Sequence, residues 1–537
     1  MEKQPETAAS KRGIWMALIA ALLGWMFDGF EMGMFPLVGR HALDELLQSE
    51  IAVNPAVVND WFGVIMSMFL VGAATGGVIF GWLGDRIGRV RAMSLSIFTY
   101  AIFTGLCGFA TEAWHIAVLR FIASLGMGGE WALGVALVIE IWPDRSRAFL
   151  AGLIGAAANV GFLCVALLSL VLVRFIEGAG NLLRGAGLPD ATVDSLVAGD
   201  GWRLLMIAGA LPALLIFFIR LFVPESHKWE TERAKGATSH WATRDVLGVV
   251  IGALAATTLV FLWSPLFDHM AGEVSPQGEL TLPVWATPVR VAGSIVMFII
   301  ALVGYMFPVV KYLARAETAG SLRAGERAKY VRRLLLGACL SGVALMGTWG
   351  LIQWSPKWAI ALADQLPKDG GPYYAKEFAQ IASASGAIIG TILAALAGGL
   401  LGRRITYAGL CVLSFVSLMY MYQTNDVYGP KLLACFFLTG GITAAFYGWF
   451  PLYLPELFPT SIRATSQGFA YNFGRVLSAA GSLQTATLTA YFAQSVAKNR
   501  IEIEAFPQAG KALACIYIVG MFLIWLGPET KGKPLPE

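Results

Sequence analysis

Apolar stretches of about 20 residues follow one another along almost the whole chain, and that rhythm limits its fold more than any other feature. A helix rises about 1.5 Å per residue, so each stretch can cross roughly 30 Å of hydrocarbon. Inside a bilayer the backbone must satisfy its own hydrogen bonds, and a helix does this within one segment. Composition agrees: 57% of the 537 residues are hydrophobic and 14% are charged, against about 25% charged in a soluble domain. The expected fold class is an all-α polytopic membrane protein.

The spans fall at about 14–38, 61–83, 92–110, 114–142, 148–173 and 201–223, then 245–264 and 288–310. A further six follow at 334–360, 378–401, 405–422, 428–452, 464–493 and 510–527, giving about 14 helices. Basic residues mark the cytoplasmic side of short loops. Here Arg86, Arg89, Arg91 and Arg147 share one side with the basic stretches 224–244 and 311–333, while the acidic loop 265–287 lies opposite. Both termini are then expected in the cytoplasm and the protein in the plasma (bacterial inner) membrane. The polar residues Met1 to Arg12 carry no cleavage site, so no removable signal peptide is expected.

Other chemistries find little support. A net charge of +4 leaves no nucleic-acid footprint. The 6 cysteines and 5 histidines are scattered without ligand spacing, so neither metal nor cofactor is expected. No nucleophile–base spacing or phosphate loop suggests an enzyme.

The chain repeats itself. Glu140-Ile-Trp-Pro-Asp-Arg-Ser-Arg147-Ala returns as Glu456-Leu-Phe-Pro-Thr-Ser-Ile-Arg463-Ala. Pro224-Glu225-Ser226 returns as Pro528-Glu529-Thr530, and Gly88-Arg89 as Gly402-Arg403. Two parallel six-helix halves follow, with the site between them near the midplane. The expected organisation is a tail at 1–13, a half at 14–223, a central segment at 224–333, a half at 334–527 and a tail at 528–537. The two extra helices of the central segment lack ionisable residues inside the membrane, so a peripheral hairpin is expected.

The string Gly81-Trp-Leu-Gly-Asp85-Arg86-Ile-Gly88-Arg89-Val-Arg91 resembles the cytoplasmic loop signature of the major facilitator superfamily. The two Pro-Glu-Ser/Thr motifs resemble the post-helix signatures of its sugar-porter-like branch. Phe27-Asp28-Gly29-Phe30-Glu31, the segment Arg120 to Glu130 and the junction Pro455 to Arg475 resemble metabolite:proton, aromatic-acid:proton and sialate/monocarboxylate members. The resemblance covers both halves but not 245–310. It implies alternating access by a transporter. Gly81, Asp85, Arg86, Gly88, Arg89, Glu140, Arg147, Glu225, Arg403, Glu456, Arg463 and Glu529 would form the cytoplasmic gate. The second-half loop lacks an acid, so the gate should be asymmetric.

An acid inside a span is costly and marks a pathway or proton relay by default. Asp28 and Glu31, three residues apart on one helical face, and Glu130 are the candidates for proton coupling. Arg475, about eleven residues into its helix, can take a carboxylate bidentately or pair structurally with an acid such as Glu130. Arg120 fits a gate or a site. Trp349 and Gln353, one turn apart, suggest an aromatic-and-amide lining, and the resemblance adds Gln467 and Asn472. The expected function is proton-coupled symport of a small organic anion, such as a monocarboxylate, aromatic acid or acidic sugar. The partners are that solute, protons and the bilayer, and the working unit a monomer. A neutral sugar or polyol carrier, an efflux antiporter and a non-transporting solute sensor are the alternatives.

Overall fold

A computed structural model describes every residue except 1–10, 52–56, 143–145, 275–279, 324, 353–354, 367–373, 498–499 and 537. Its first half consists of α1 (Lys11–Leu46), α2 (Val57–Ile87), α3 (Arg89–Cys107), α4 (Ala113–Ile141), α5 (Arg147–Gly185) and α6 (Asp190–Ala208, resuming as Leu214–Phe222). The inserted pair is α7 (Val246–Leu262) and α8 (Ala286–Thr318). The second half begins with α9 (Glu326–Gly347, resuming as Ser355–Ala363), α10 (Ala375–Leu401) and α11 (Arg403–Thr424). It closes with α12 (Pro430–Ala444, resuming as Phe446–Tyr453), α13 (Arg463–Ala493) and α14 (Phe506–Ala514, resuming as Ile516–Leu523).

Among the described residues 12 helices are long and apolar enough to cross a membrane, which makes this an integral membrane protein. Two expected spans fall outside that set for physical reasons. The sixth is broken: Gly199, Asp200 and Gly201 all take positive φ, and a 3₁₀ turn containing Pro212 interrupts it again. α13 is 31 residues long and unbroken, but Thr465, Ser466, Gln467, Asn472 and Arg475 lower its apolarity. Counting both, the architecture is the expected one of about 14 helices. The structure also lengthens α5 to Gly185 and adds a helical stretch before the Gly199 break, neither of which hydropathy signals.

The halves meet along two seams, α2 against α13 and α5 against α10. At the first, a Cβ on Gly468 would lie 2.1 Å from the carbonyl oxygen of Gly77, so only a bare Cα permits the approach. Within each half one glycine makes the turn between paired helices. Gly88 joins α2 to α3 at φ 112° and Gly402 joins α10 to α11 at φ 101°, a region that favours glycine. The Gly-Arg echo in the sequence is thus a repeated turn.

The chain ends share the face that carries these turns. Trp15 near the start of α1 packs against Trp142 with ring centroids 5.1 Å apart, and the Pro536 carbonyl accepts from Arg463 at 2.8 Å. We call this the charged face. The inserted pair packs against α2, with lighter contacts to α13, and contributes nothing to the central cavity described below.

Replacing Gly468 by Ala should force the α2–α13 seam apart and destabilise the purified protein by about 1–3 kcal/mol, as overpacking does. Gly409, whose Cβ would meet nothing within 4 Å, supplies the control, since Gly409→Ala should leave the thermal midpoint unchanged or slightly raised. Equal midpoints for both variants would show that the seam is not tightly packed.

Candidate functional site

The duplicated motifs build two matching charge clusters on the charged face. In the first half Glu140 accepts from Arg89 at 3.3 and 3.1 Å and from the Ser226 hydroxyl. In the second half Glu456 accepts from Arg403 at 3.0 and 2.6 Å and from the Thr530 hydroxyl at 2.6 Å. Glu225 takes the backbone N–H groups of Arg89 and Val90 at 2.9 and 3.2 Å, and Glu529 those of Arg403 and Arg404 at 3.1 and 3.2 Å. Each Pro-Glu-Ser/Thr motif therefore supplies a carboxylate at a helix N-terminus, where backbone donors and dipole favour an anion. Burial dominates at Glu225 and pushes its carboxyl up. Burial also raises Glu529, but the N–H groups of Arg403, Lys531, Arg404 and Thr530 outweigh it and hold this carboxyl below its usual range.

The clusters exchange arginines. Arg463 of the second half donates to Glu140 at 2.8 Å, and Arg147 of the first lies 3.4 Å from Glu456. One contact has no counterpart. Asp85 accepts from the N–H groups of Ala464 and Thr465 at 3.2 and 2.8 Å, from the Thr465 hydroxyl at 2.6 Å and from Arg89 at 2.8 Å. It caps the first turn of α13 across the interface. The equivalent position in the second half is Gly399, beside Ala148. Gly81 lets α2 approach, since its Cβ would lie 2.6 Å from the Ala464 carbonyl oxygen. Arg86 stands apart, donating to the Thr243 hydroxyl at 2.7 Å with its guanidinium 5.1 Å from the Trp82 ring centre. Among the described residues these contacts hold the two halves together at the charged face.

Between the halves lies a cavity of about 70 Å³. α1 supplies Trp25 and Asp28, α4 supplies Trp131, and α13 supplies Tyr471 and Arg475. Trp131 and Tyr471 stack across the interface, with centroids 3.7 Å apart and planes 11° apart. Arg475 sits over the Tyr471 ring at 5.6 Å, and its Nε and Nη1 have no hydrogen-bond partner among the described residues. Asp28 faces it from α1 and also neighbours Glu130. The Glu130 carboxyl presses on the bare Cα of Gly24, one turn from Asp28, where a Cβ would lie 1.6 Å from Oε1. Neither Glu130 oxygen meets a hydrogen-bond donor among the described residues.

Other sequence candidates lie elsewhere. Glu31 does not line the cavity. It pairs with Arg120 at 2.5 Å and accepts from Thr104 at 3.3 Å, while Arg120 is flanked by Phe35 and Phe69 at 4.8 Å each. Both are buried, so Arg120 is committed inside the first half. Gln467 donates to the Ala132 carbonyl, and Asn472 to those of Gly128 and Gly468 at 3.1 and 3.0 Å. These two amides fasten α13 to α4 at the seam. Trp349 lies in the π-helical segment Thr348–Ile352, and its side chain and Gln353 fall outside the described residues. The aromatic lining was missed, although helical spacing signals it: Trp25 precedes Asp28 by three residues and Tyr471 precedes Arg475 by four.

The chain is similar to known proteins along its whole length. A family model described as "Sugar (and other) transporter" matches residues 16–248. The niacin transporter NiaP of Acinetobacter baylyi is 24% identical over 96% of this chain and 93% of its own. A cis,cis-muconate transport protein of the same organism is 25% identical over 77% of this chain and 75% of its own. The solved proton:xylose symporter XylE superposes with a TM-score of 0.61 at 17% identity, covering 98% of each chain, and so shares the fold. Two pseudo-repeated six-helix halves thus give the chain the fold of that solved symporter, and the relatives it is similar to along most of its length are named as transport proteins.

Proposed function

We propose that this transporter carries a small, flat organic anion together with a proton, from the far face to the charged face, which is the cytoplasmic side of a bacterial inner membrane. The observation that carries the reading is Arg475, a nearly buried guanidinium with two unused donors in the central cavity. An unpaired buried charge is expensive, and a carboxylate of the solute is the partner whose geometry fits the fork. Trp25, Trp131 and Tyr471 offer apolar surface to a flat body. Relatives named for niacin and cis,cis-muconate lend support to an acid.

The acids supply the coupling. A proton shared by Asp28 and Glu130 would satisfy oxygens that no described donor reaches. With that proton bound, Asp28 no longer competes with the solute for Arg475. With Glu130 protonated throughout and the coupled proton on Asp28, Arg475 and the solute carboxylate balance, so the loaded cavity carries no excess charge through the low-dielectric centre. In this scheme the halves part on the far face to admit the solute. The closed network on the charged face holds while that happens. The protein acts as a monomer in this scheme and needs no cofactor beyond the proton gradient.

Proteoliposomes with an imposed pH gradient test the scheme, using benzoate, nicotinate and muconate as probes. Asp28→Asn and Glu130→Gln should abolish pH-driven accumulation yet spare solute exchange, which needs only the loaded carrier to reorient. Full accumulation in both variants would reject proton symport. Arg475→Lys keeps the charge but loses the fork, so affinity should fall about ten- to a hundredfold, the worth of one charge-assisted hydrogen bond of about 1.5–3 kcal/mol. Unchanged affinity for every anion would point instead to a neutral solute.

Asp85→Asn checks the gate separately. An amide still accepts one N–H but loses its charge against Arg89 and the α13 N-terminus. Thiol labelling from the charged face, at a cysteine placed at Ser466, should therefore accelerate at least several-fold. Labelling at the parent rate would remove Asp85 from the gate.

A further inference from the structure

The inserted hairpin is outside the solute path, yet it is not confined to one half. Tyr305 of α8 touches both. Its hydroxyl lies 2.8 Å from that of Thr75 on α2, and its ring centre is 6.0 Å from that of Phe473 on α13. The Thr75 hydroxyl already donates to the Val71 carbonyl, which makes Tyr305 the donor. Phe298 adds a second contact to Phe473, with centroids 5.5 Å apart.

The same straddling recurs where the hairpin leaves the membrane. The Trp241 indole N–H donates to the Ser461 carbonyl, just before α13, at 3.3 Å. Two residues later the Thr243 hydroxyl accepts from Arg86, at the end of α2. Two residues of chain extend at most about 7 Å. The ends of α2 and α13 must part when the charged face opens, because Asp85 joins them. A segment so short cannot follow both.

We propose that α7 and α8, with the connector at 241–243, form a strap across the α2–α13 seam that favours the closed charged face. The strap is anchored on α2, along which α7 packs, and it must let go of α13 for the face to open. A peripheral pair of helices thereby sets the balance between the two states without touching the solute.

The test reads conformation alone and uses no solute or proton gradient, so its failure is separate from failure of the symport reading. Full-length protein lacking its native cysteines carries Ser466→Cys as reporter, in vesicles exposing the charged face to a maleimide. Removing both hydrogen bonds with Tyr305→Phe and Trp241→Phe should speed labelling by roughly threefold or more, in line with the modest strength of single polar bonds inside membranes. Asp85→Asn serves as the reference for an opened face. A double variant that labels at the parent rate, while Asp85→Asn labels faster, overturns the strap. A second measurement does not depend on folding of that variant. Phe298→Cys and Phe473→Cys, joined by a short bismaleimide, should slow reporter labelling several-fold by tying the hairpin to α13. Labelling that continues at the rate seen before cross-linking would equally overturn it.

Discussion

The crossed exchange of arginines, Arg463 to Glu140 and Arg147 to Glu456, is the interaction on which the rest of this molecule depends. Each glutamate also holds an arginine of its own half, so neither charge is abandoned when the halves separate. Removing one partner from a buried ion pair costs about 3–5 kcal/mol, because it strands the other. Here the own-half arginine remains as the reserve partner. Each glutamate thus keeps a charged partner that does not depend on contact between the halves.

That arrangement also explains where function was legible in the sequence. The duplicated Glu-φ-φ-Pro-x-x-x-Arg and Pro-Glu-Ser/Thr strings exposed the cluster members, because local turn geometry demands the same residues twice. The strings could not reveal that each arginine reaches the opposite half, since that contact joins positions 323 residues apart in one case. The spans were readable from apolar length wherever the helix faces lipid. α13 was found despite its polarity only because its small and apolar residues outnumber the polar ones. The expected start of the sixth span at 201 falls at the Gly199–Gly201 break, whereas the helical stretch before that break and the 3₁₀ turn at Leu211–Ala213 escaped hydropathy.

The acids divide in the same way. Asp28 and Glu31 share a helical face by spacing, yet their surroundings separate them. Arg120 on α4 claims Glu31, and its position 89 residues away has no local signal. Asp28 is left to the cavity. Gln467 and Asn472 came in as candidates through the resemblance of their junction, and here they donate to backbone carbonyls at a seam between helices. Periodicity marks which residues face inward, not whether they meet a cavity or a neighbouring backbone.

The unequal treatment of the two helix N-termini has a mechanical consequence. Asp85 binds the first turn of α13, whereas at Gly399 a Cβ, were one present, would lie 3.0 Å from the Ala148 methyl group in the first turn of α5, whose cross-half ion pair is that of Arg147 with Glu456. The inserted pair lies along that same α2–α13 edge. The α2–α13 edge of the charged face is thus fastened by one carboxylate more than the other edge, like the spine of a book against its fore-edge.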